Sequence, residues 1–182
     1  MKKSIFLTAI VSLCLLFSNN ASAQSEGFND VKGTNLLNVG IGLGTYGLSG
    51  TGGLPILASF EHGFTDKISG GASLGFVTRK WASDWRYTYI IVGARASYHF
   101  SELLNISNPK LDVYGGAGLL YRRWTYKYKG EGSSEIDYDS SGGDVDLDLH
   151  AGGRYMFNDR FGGFAEVGYG ISPLQIGFTM KF

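Results

Sequence analysis

The sequence predicts an all-β fold: an eight-stranded antiparallel up-and-down transmembrane β-barrel, preceded by a cleavable signal peptide. Three observations carry that prediction. The chain opens with a secretion-type segment. Eight later stretches alternate apolar residues with polar or small ones, which places the two sets on opposite faces of strands. Residues 174–182 alternate to their end, with Leu174, Ile176, Phe178, Met180 and Phe182 on one face. A strand with a flat apolar face invites aggregation unless its edge is paired, and a closed barrel pairs every edge.

Lys2 and Lys3 form a basic lead, residues 5–17 are almost wholly apolar, and Ala21-Ser22-Ala23 offers a small-x-small cleavage site before Gln24. The apolar run falls short of the roughly 20 residues a membrane-spanning helix needs. Cys14 lies inside that run, flanked by Leu13 and Leu15, which argues against a lipoprotein signal. Removing residues 1–23 takes away the only cysteine and leaves two fewer basic than acidic residues. Disulfides, thiol nucleophiles and thiolate metal sites are thereby excluded, and nucleic acid is an unsuitable partner. Residues 24–33 read as a polar lead-in and 34–182 as one barrel domain. No later segment is apolar enough for a transmembrane helix, so only a closed barrel could satisfy the backbone in lipid.

The strands read, in order, at about 34–46, 54–64, 68–78, 87–100, 111–128, 144–157, 161–170 and 174–182. Their apolar faces include Val39 and Ile41, Ile56 and Phe60, Leu74 and Phe76, Ile90 and Val92, Leu119 and Tyr121, and Leu147 and Leu149. Thr65-Asp66-Lys67, Asn158-Asp159-Arg160 and Ser172-Pro173 mark short turns. Residues 129–143 form the longest loop. The segment Gly70-x-Ala72-x-Leu74-x-Phe76 recurs as Gly115-x-Ala117-x-Leu119-x-Tyr121 and Gly163-x-Ala165-x-Val167-x-Tyr169. Stacked hairpins give such a repeat.

Charge decides which face points inward. The polar faces carry Glu61, Asp112, Asp148 and Glu166 with Arg95, Arg122, Arg154 and Lys181, while the apolar faces carry almost none. That set would make a poor soluble core, but it suits a narrow lumen in which buried charges find partners. Arg154 and Glu166, on strands joined by a tight turn, are expected to pair diagonally. Aromatic residues fall into two girdles, Phe64, Phe100, Phe157, Phe161 and Phe182 beside the short turns and Tyr46, Phe76, Tyr87, Tyr121 and Tyr169 toward the longer loops. By the usual loop asymmetry both termini would be periplasmic and the long loops extracellular.

The signal peptide, the eight strands and the terminal Phe182 behind Met180, Phe178, Ile176 and Leu174 resemble small bacterial outer-membrane barrels of the OmpX and OmpA-transmembrane-domain type. The resemblance covers about residues 34–182. It implies membrane insertion, cell-surface exposure, contact with outer-membrane lipids and lipopolysaccharide, and recognition of the C-terminal strand by the barrel-assembly machinery. It also implies that Trp124-x-Tyr126-x-Tyr128, facing Asp144-x-Asp146, projects as a surface for adhesion or edge-pairing, against the alternative that these aromatics complete the upper girdle.

The lumen charges read as a structural plug, with a small-solute channel as the alternative. The acidic loop, with Asp137, Asp139 and Asp148, echoes a calcium loop but lacks its terminal glutamate, so a solvated loop at 129–143 open to a surface ligand is the better reading. His62, His99 and His150 read as interior or interfacial polar residues. The His-x-Ser-Asn pattern of outer-membrane lipid hydrolases is missing, as are G-x-S-x-G, P-loop and HExxH motifs, so a lipid-modifying enzyme is the weakest alternative. The expectation is a monomeric, non-enzymatic barrel without a cofactor.

Overall fold

The computed structural model describes residues 28, 30–46, 51–81, 85–128 and 139–182. The signal peptide read at 1–23, most of the lead-in and the acidic segment 129–138 lie outside these residues. Nine β-segments are described: β1 Asn35–Leu43, β2 Thr51–Gly52, β3 Ile56–Gly63, β4 Ile68–Trp81, β5 Trp85–His99, β6 Leu111–Tyr128, β7 Asp139–Met156, β8 Phe161–Tyr169 and β9 Leu174–Lys181. β2 is a two-residue strip on β4, at Arg79 and Lys80. The other eight pair antiparallel with their chain neighbours, and β1 pairs with β9, so the sheet closes into an eight-stranded barrel.

The seam runs from Leu36 opposite Lys181 to Leu43 opposite Leu174. Two further backbone bonds fasten it, Asn35 N–H to Phe182 O (2.8 Å) and Phe182 N–H to Asn35 O (3.0 Å). Both termini therefore sit at one end of the barrel, here called the terminal end. Two tight turns there are shaped by side-chain oxygens that accept backbone N–H groups, a common device for tight turns. Asn158 Oδ1 accepts from Arg160 and Phe161, and Thr65 Oγ1 accepts from Ile68 at 3.0 Å. At the far end β4 to β7 run well past their neighbours. β7 starts at Asp139, five residues before the expected 144, so part of the long acidic loop is strand. Its extra length continues the ladder with β6, from Arg122 opposite Asp144 to Lys127 opposite Asp139.

The alternation sorts the residues as charge placement requires. Phe178 and Val145 are 74% and 72% exposed on the outside, whereas Glu61, Asp112 and Arg154 are fully buried inside. Alternation is incomplete on the inner face. Leu57, Ile91, Leu120 and Ile171 form a buried apolar cluster toward the far end. Phe28, Val31, Leu36 and Met156 form another at the terminal end. The lead-in is therefore not simply polar, because Phe28 and Val31 stop the mouth of the barrel.

Residues 31–34 turn with Gly33 at φ 73°, and Gly33 N–H donates to Gly63 O while Gly63 N–H donates to Thr34 O. The Val31 carbonyl crosses so close to Gly63 that any Cβ there would collide with it. Gly63→Val should unseat this plug and cost about 1–3 kcal/mol, the usual penalty of overpacking. Urea unfolding in lipid would measure it, and wild-type stability would show that the lead-in is not fastened at this point.

Candidate functional site

Period two turns alternate residues of all eight barrel strands inward, and on a narrow barrel those side chains meet across the axis. Arg154 of β7 is the hub. Its Nη1 donates to Asp112 Oδ2 (2.7 Å), its Nη2 to Glu61 Oε1 (3.1 Å) and its Nε to Asn38 Oδ1 (3.2 Å). Its guanidinium lies 3.8 Å from the centre of the Tyr114 ring. Arg95 of β5 forms the second centre. It grips Glu166 with two bonds, Nη2 to Oε2 at 2.7 Å and Nη1 to Oε1 at 3.3 Å, and its Nε lies 3.4 Å from Glu61 Oε1. Tyr114 Oη also donates to Glu166 Oε2, at 3.0 Å. Each guanidinium thus meets two carboxylates, the condition for burying charge at tolerable cost, although Arg95 Nε itself makes no hydrogen bond.

The expected Arg154–Glu166 diagonal pair does not form. The ladder places Asp112 directly opposite Arg154, while Glu166 stands opposite Gly152 and is taken by Arg95 across the lumen. Asp148 is buried beside His150, whose Nδ1 lies 3.2 Å from Asp148 Oδ2. Arg122 stays outside the central network. It is part-exposed near the far mouth, donating to Gly170 O (2.9 Å) and Asp146 Oδ2 (3.4 Å). Lys181 sits at the terminal end with Nζ 5.1 Å from the Phe28 ring. Glu61, Arg95, Asp112, Arg154 and Glu166 are therefore brought together, Asp148 adjoins them, and Arg122 and Lys181 mark the two ends.

Sequence reasoning gave no roles to several members. Ser69 Oγ donates to Glu61 Oε2 at 2.7 Å and meets His99 Nε2 at 2.9 Å, while His99 Nδ1 meets Asp112 Oδ1 at 2.8 Å. Ser97 Oγ lies 2.9 Å from His150 Nε2. Both chains of contacts follow the order Ser, His, Asp familiar from hydrolases. All six residues are buried, and the apolar clusters lie beyond them toward both ends. The space beside Arg95, bounded by Asn38, Ser59, Ser73 and Leu57, is about 10 Å³, no more than a single water occupies. Among the described residues no group of three or more His, Cys, Asp or Glu could hold a metal ion.

A second arrangement stands at the far end, where the strand faces change character. On the outer face, the row of Phe76 and Ile90 and the neighbouring Tyr121 give way to Thr78, Thr88 and Thr125. On the inner face, polar residues give way to Tyr87, Tyr89, Trp124 and Tyr126. Tyr87 and Tyr126 meet edge-on with centroids 4.4 Å apart, and Trp124 and Tyr126 do so at 4.8 Å. Tyr87 was expected in the outer girdle, but it shares inward parity with Arg95 and turns toward the axis. Trp124 and Tyr126 do the same, so they do not complete the upper girdle. Tyr46 and Tyr169 do meet one another, 5.0 Å apart.

No known family profile matches the sequence, and no curated relative does. Solved structures do match. The N-terminal β-barrel domain of Pseudomonas aeruginosa OprF aligns with a TM-score of 0.54 at 16% identity, over 83% of this chain and 98% of that one. Ail, the attachment invasion locus protein of Yersinia pestis, aligns with a TM-score of 0.50 at 16% identity, over 83% and 99%. Ail has also been solved with the heparin analogue sucrose octasulfate. The fold is that of the small eight-stranded outer-membrane β-barrels.

Removing one partner from a buried ion pair costs about 3–5 kcal/mol because the other charge is left uncompensated. Arg154→Met, which leaves Glu61 with Arg95 alone and Asp112 with His99 alone, should lose about that much in urea unfolding. Arg122→Met, at the part-exposed mouth, should lose under about 1 kcal/mol. Equal losses would contradict the hub.

Proposed function

We propose that the chain is a monomeric resident of the bacterial outer membrane, with a sealed barrel that serves as scaffold for a binding surface at its far end. Both termini face the periplasm and the long connections face the exterior. The short, side-chain-capped turns at the terminal end and the overlong strands at the other support that orientation. Residues 1–23 direct export and are removed. The closing strand, with Leu174, Ile176, Phe178, Met180 and Phe182 outward, is the segment the assembly machinery reads.

One observation carries the scaffold reading: the ion network fills the lumen and is capped by an apolar cluster toward each end. A charged path enclosed by Leu57, Ile91, Leu120 and Ile171 on one side and by Phe28, Val31, Leu36 and Met156 on the other offers no route for ions. The same enclosure counts against hydrolysis, since neither Ser69 nor Ser97 can reach a lipid ester. The surface role rests on the far end, where β4 to β7 rise beyond the apolar belt with Tyr87, Trp124 and Tyr126 on the inner face. Tyr and Trp supply large contact area at small entropic cost, as binding surfaces require.

Folded protein should migrate differently from boiled protein on denaturing gels, as closed barrels do, and planar bilayers containing it should stay silent. Steady conductance that changes with Arg95→Ala or Glu166→Ala would replace the scaffold with a channel. Exchanging residues 124–146 for a short turn should leave the gel shift intact and abolish cell-surface binding. Altered lipid A or phospholipid in a knockout would favour an enzyme instead.

A further inference from the structure

Glu61, Asp112 and Glu166 set three buried carboxylates against two buried guanidiniums, those of Arg95 and Arg154. The central network is therefore one positive charge short. His99, the last residue of β5, is buried against it between Ser69 and Asp112. The hydrogen bonds around its ring settle its charge.

Asp112 Oδ1 lies 2.8 Å from His99 Nδ1, while Asp112 Oδ2 accepts from Arg154 at 2.7 Å. A carboxylate held by a guanidinium stays ionised and only accepts, so Nδ1 carries a proton. On the other side of the ring, Ser69 Oγ lies 2.9 Å from Nε2 and 2.7 Å from Glu61 Oε2. A hydroxyl has one proton to give. Glu61 Oε1 meets Arg154 at 3.1 Å and Arg95 at 3.4 Å, so Glu61 is ionised and takes the serine proton. Nε2 must then donate to Ser69 Oγ, and it carries a proton too. Were Ser69 to donate to Nε2 instead, its oxygen and Glu61 Oε2 would face each other at 2.7 Å with no proton between them.

We propose that His99 is a buried proton-binding site, an imidazolium that supplies the third cation of the network and ties the stability of the barrel to pH. The other groups around the ring fit this charge. Tyr114 of β6 lies 6.2 Å away between ring centres and gives its hydroxyl proton to Glu166. Arg154 of β7 reaches the ring only through Asp112, and Arg95 and Glu61 through Ser69. Lys181 of β9, at the terminal mouth, acts on Asp159 as well as on Asp112, and Lys67 of the preceding turn is held by Glu102. In a hydrolase triad the serine gives its proton to histidine. Here it gives that proton to Glu61, so His99 serves as a cation and not as a base. At His150 the facing atoms, Nδ1 and Asp148 Oδ2, complete no hydrogen bond, and the same reasoning does not extend there.

The test uses the folded barrel in lipid nanodiscs with isotope-labelled histidine, read by NMR at neutral pH. Both ring nitrogens of His99 should carry bonded protons, with the signals assigned by their loss in His99→Gln or by elimination with His62→Gln and His150→Gln. One bare ring nitrogen would overturn the site. Asp112→Asn balances the network without the extra proton, so His99 should then keep only one; two would show that the network charge does not hold it. Urea unfolding supplies the second readout. Above about pH 6.5 an unfolded histidine sheds its proton. A proton kept only by the folded state therefore costs stability as the pH rises, close to tenfold in the unfolding equilibrium per pH unit. Wild type should lose its advantage over His99→Gln at about that rate, and parallel pH profiles would overturn the link. Should His99→Gln fail to fold, the wild-type ring signals decide alone.

Discussion

Arg154 sets the terms for the interior. A guanidinium buried without water needs carboxylates on more than one side, and it finds Asp112 on the neighbouring strand and Glu61 across the lumen. Glu61 then needs the second cation, Arg95, and Arg95 in turn brings in Glu166 and the Tyr114 hydroxyl. Glu61, Arg95, Asp112, Arg154 and Glu166 come from five different strands. The network therefore braces the cross-section of the barrel as well as balancing charge. Closure and charge pairing depend on each other, because a wider lumen would admit water and loosen every pair.

The second organising feature is the reversal of sidedness along β4, β5 and β6. Below Phe76 and Ile90 the chain follows the rule of a membrane barrel, apolar outward and polar inward. Above them threonines and cations face out while Tyr87, Trp124 and Tyr126 turn in, the pattern of a sheet in water. A strand with period two can change environment along its length without changing its backbone. The change of face marks where the strands leave the lipid.

Much of this was legible in the sequence, and the gaps have physical causes. Val145, Leu147 and Leu149 against Asp148, His150 and Arg154 displayed the two faces of β7 directly. The partner of Arg154 could not be read, because any even shift in register keeps every residue on its face while changing which residue stands opposite. Asp112 and Glu166 were equally compatible with the alternation. The inner apolar cap had a signal that went unused: Ile90-Ile91-Val92 and Leu119-Leu120-Tyr121 break the alternation, and the middle residue of each triplet points inward. Phe28 and Val31 had no such signal, since they sit singly in a polar stretch with no period. Tyr87 was assigned to the girdle by its height along the strand, although its parity with Arg95 pointed inward.

The seam between β1 and β9 has a consequence for biogenesis. The first strand's neighbour across the seam is β9, made after the other seven, so no chain that lacks β9 can complete its ring of backbone bonds. A nascent fragment would carry two raw edges, which hydrocarbon penalises and which invite pairing with other chains. Contacts that join residues so far apart in sequence also form slowly. Ring closure is therefore a late step, in which β1 and β9 must meet after every strand between them has been made. Until then β1 keeps one edge unpaired, so the first strand of the barrel is among the last to be fully bonded.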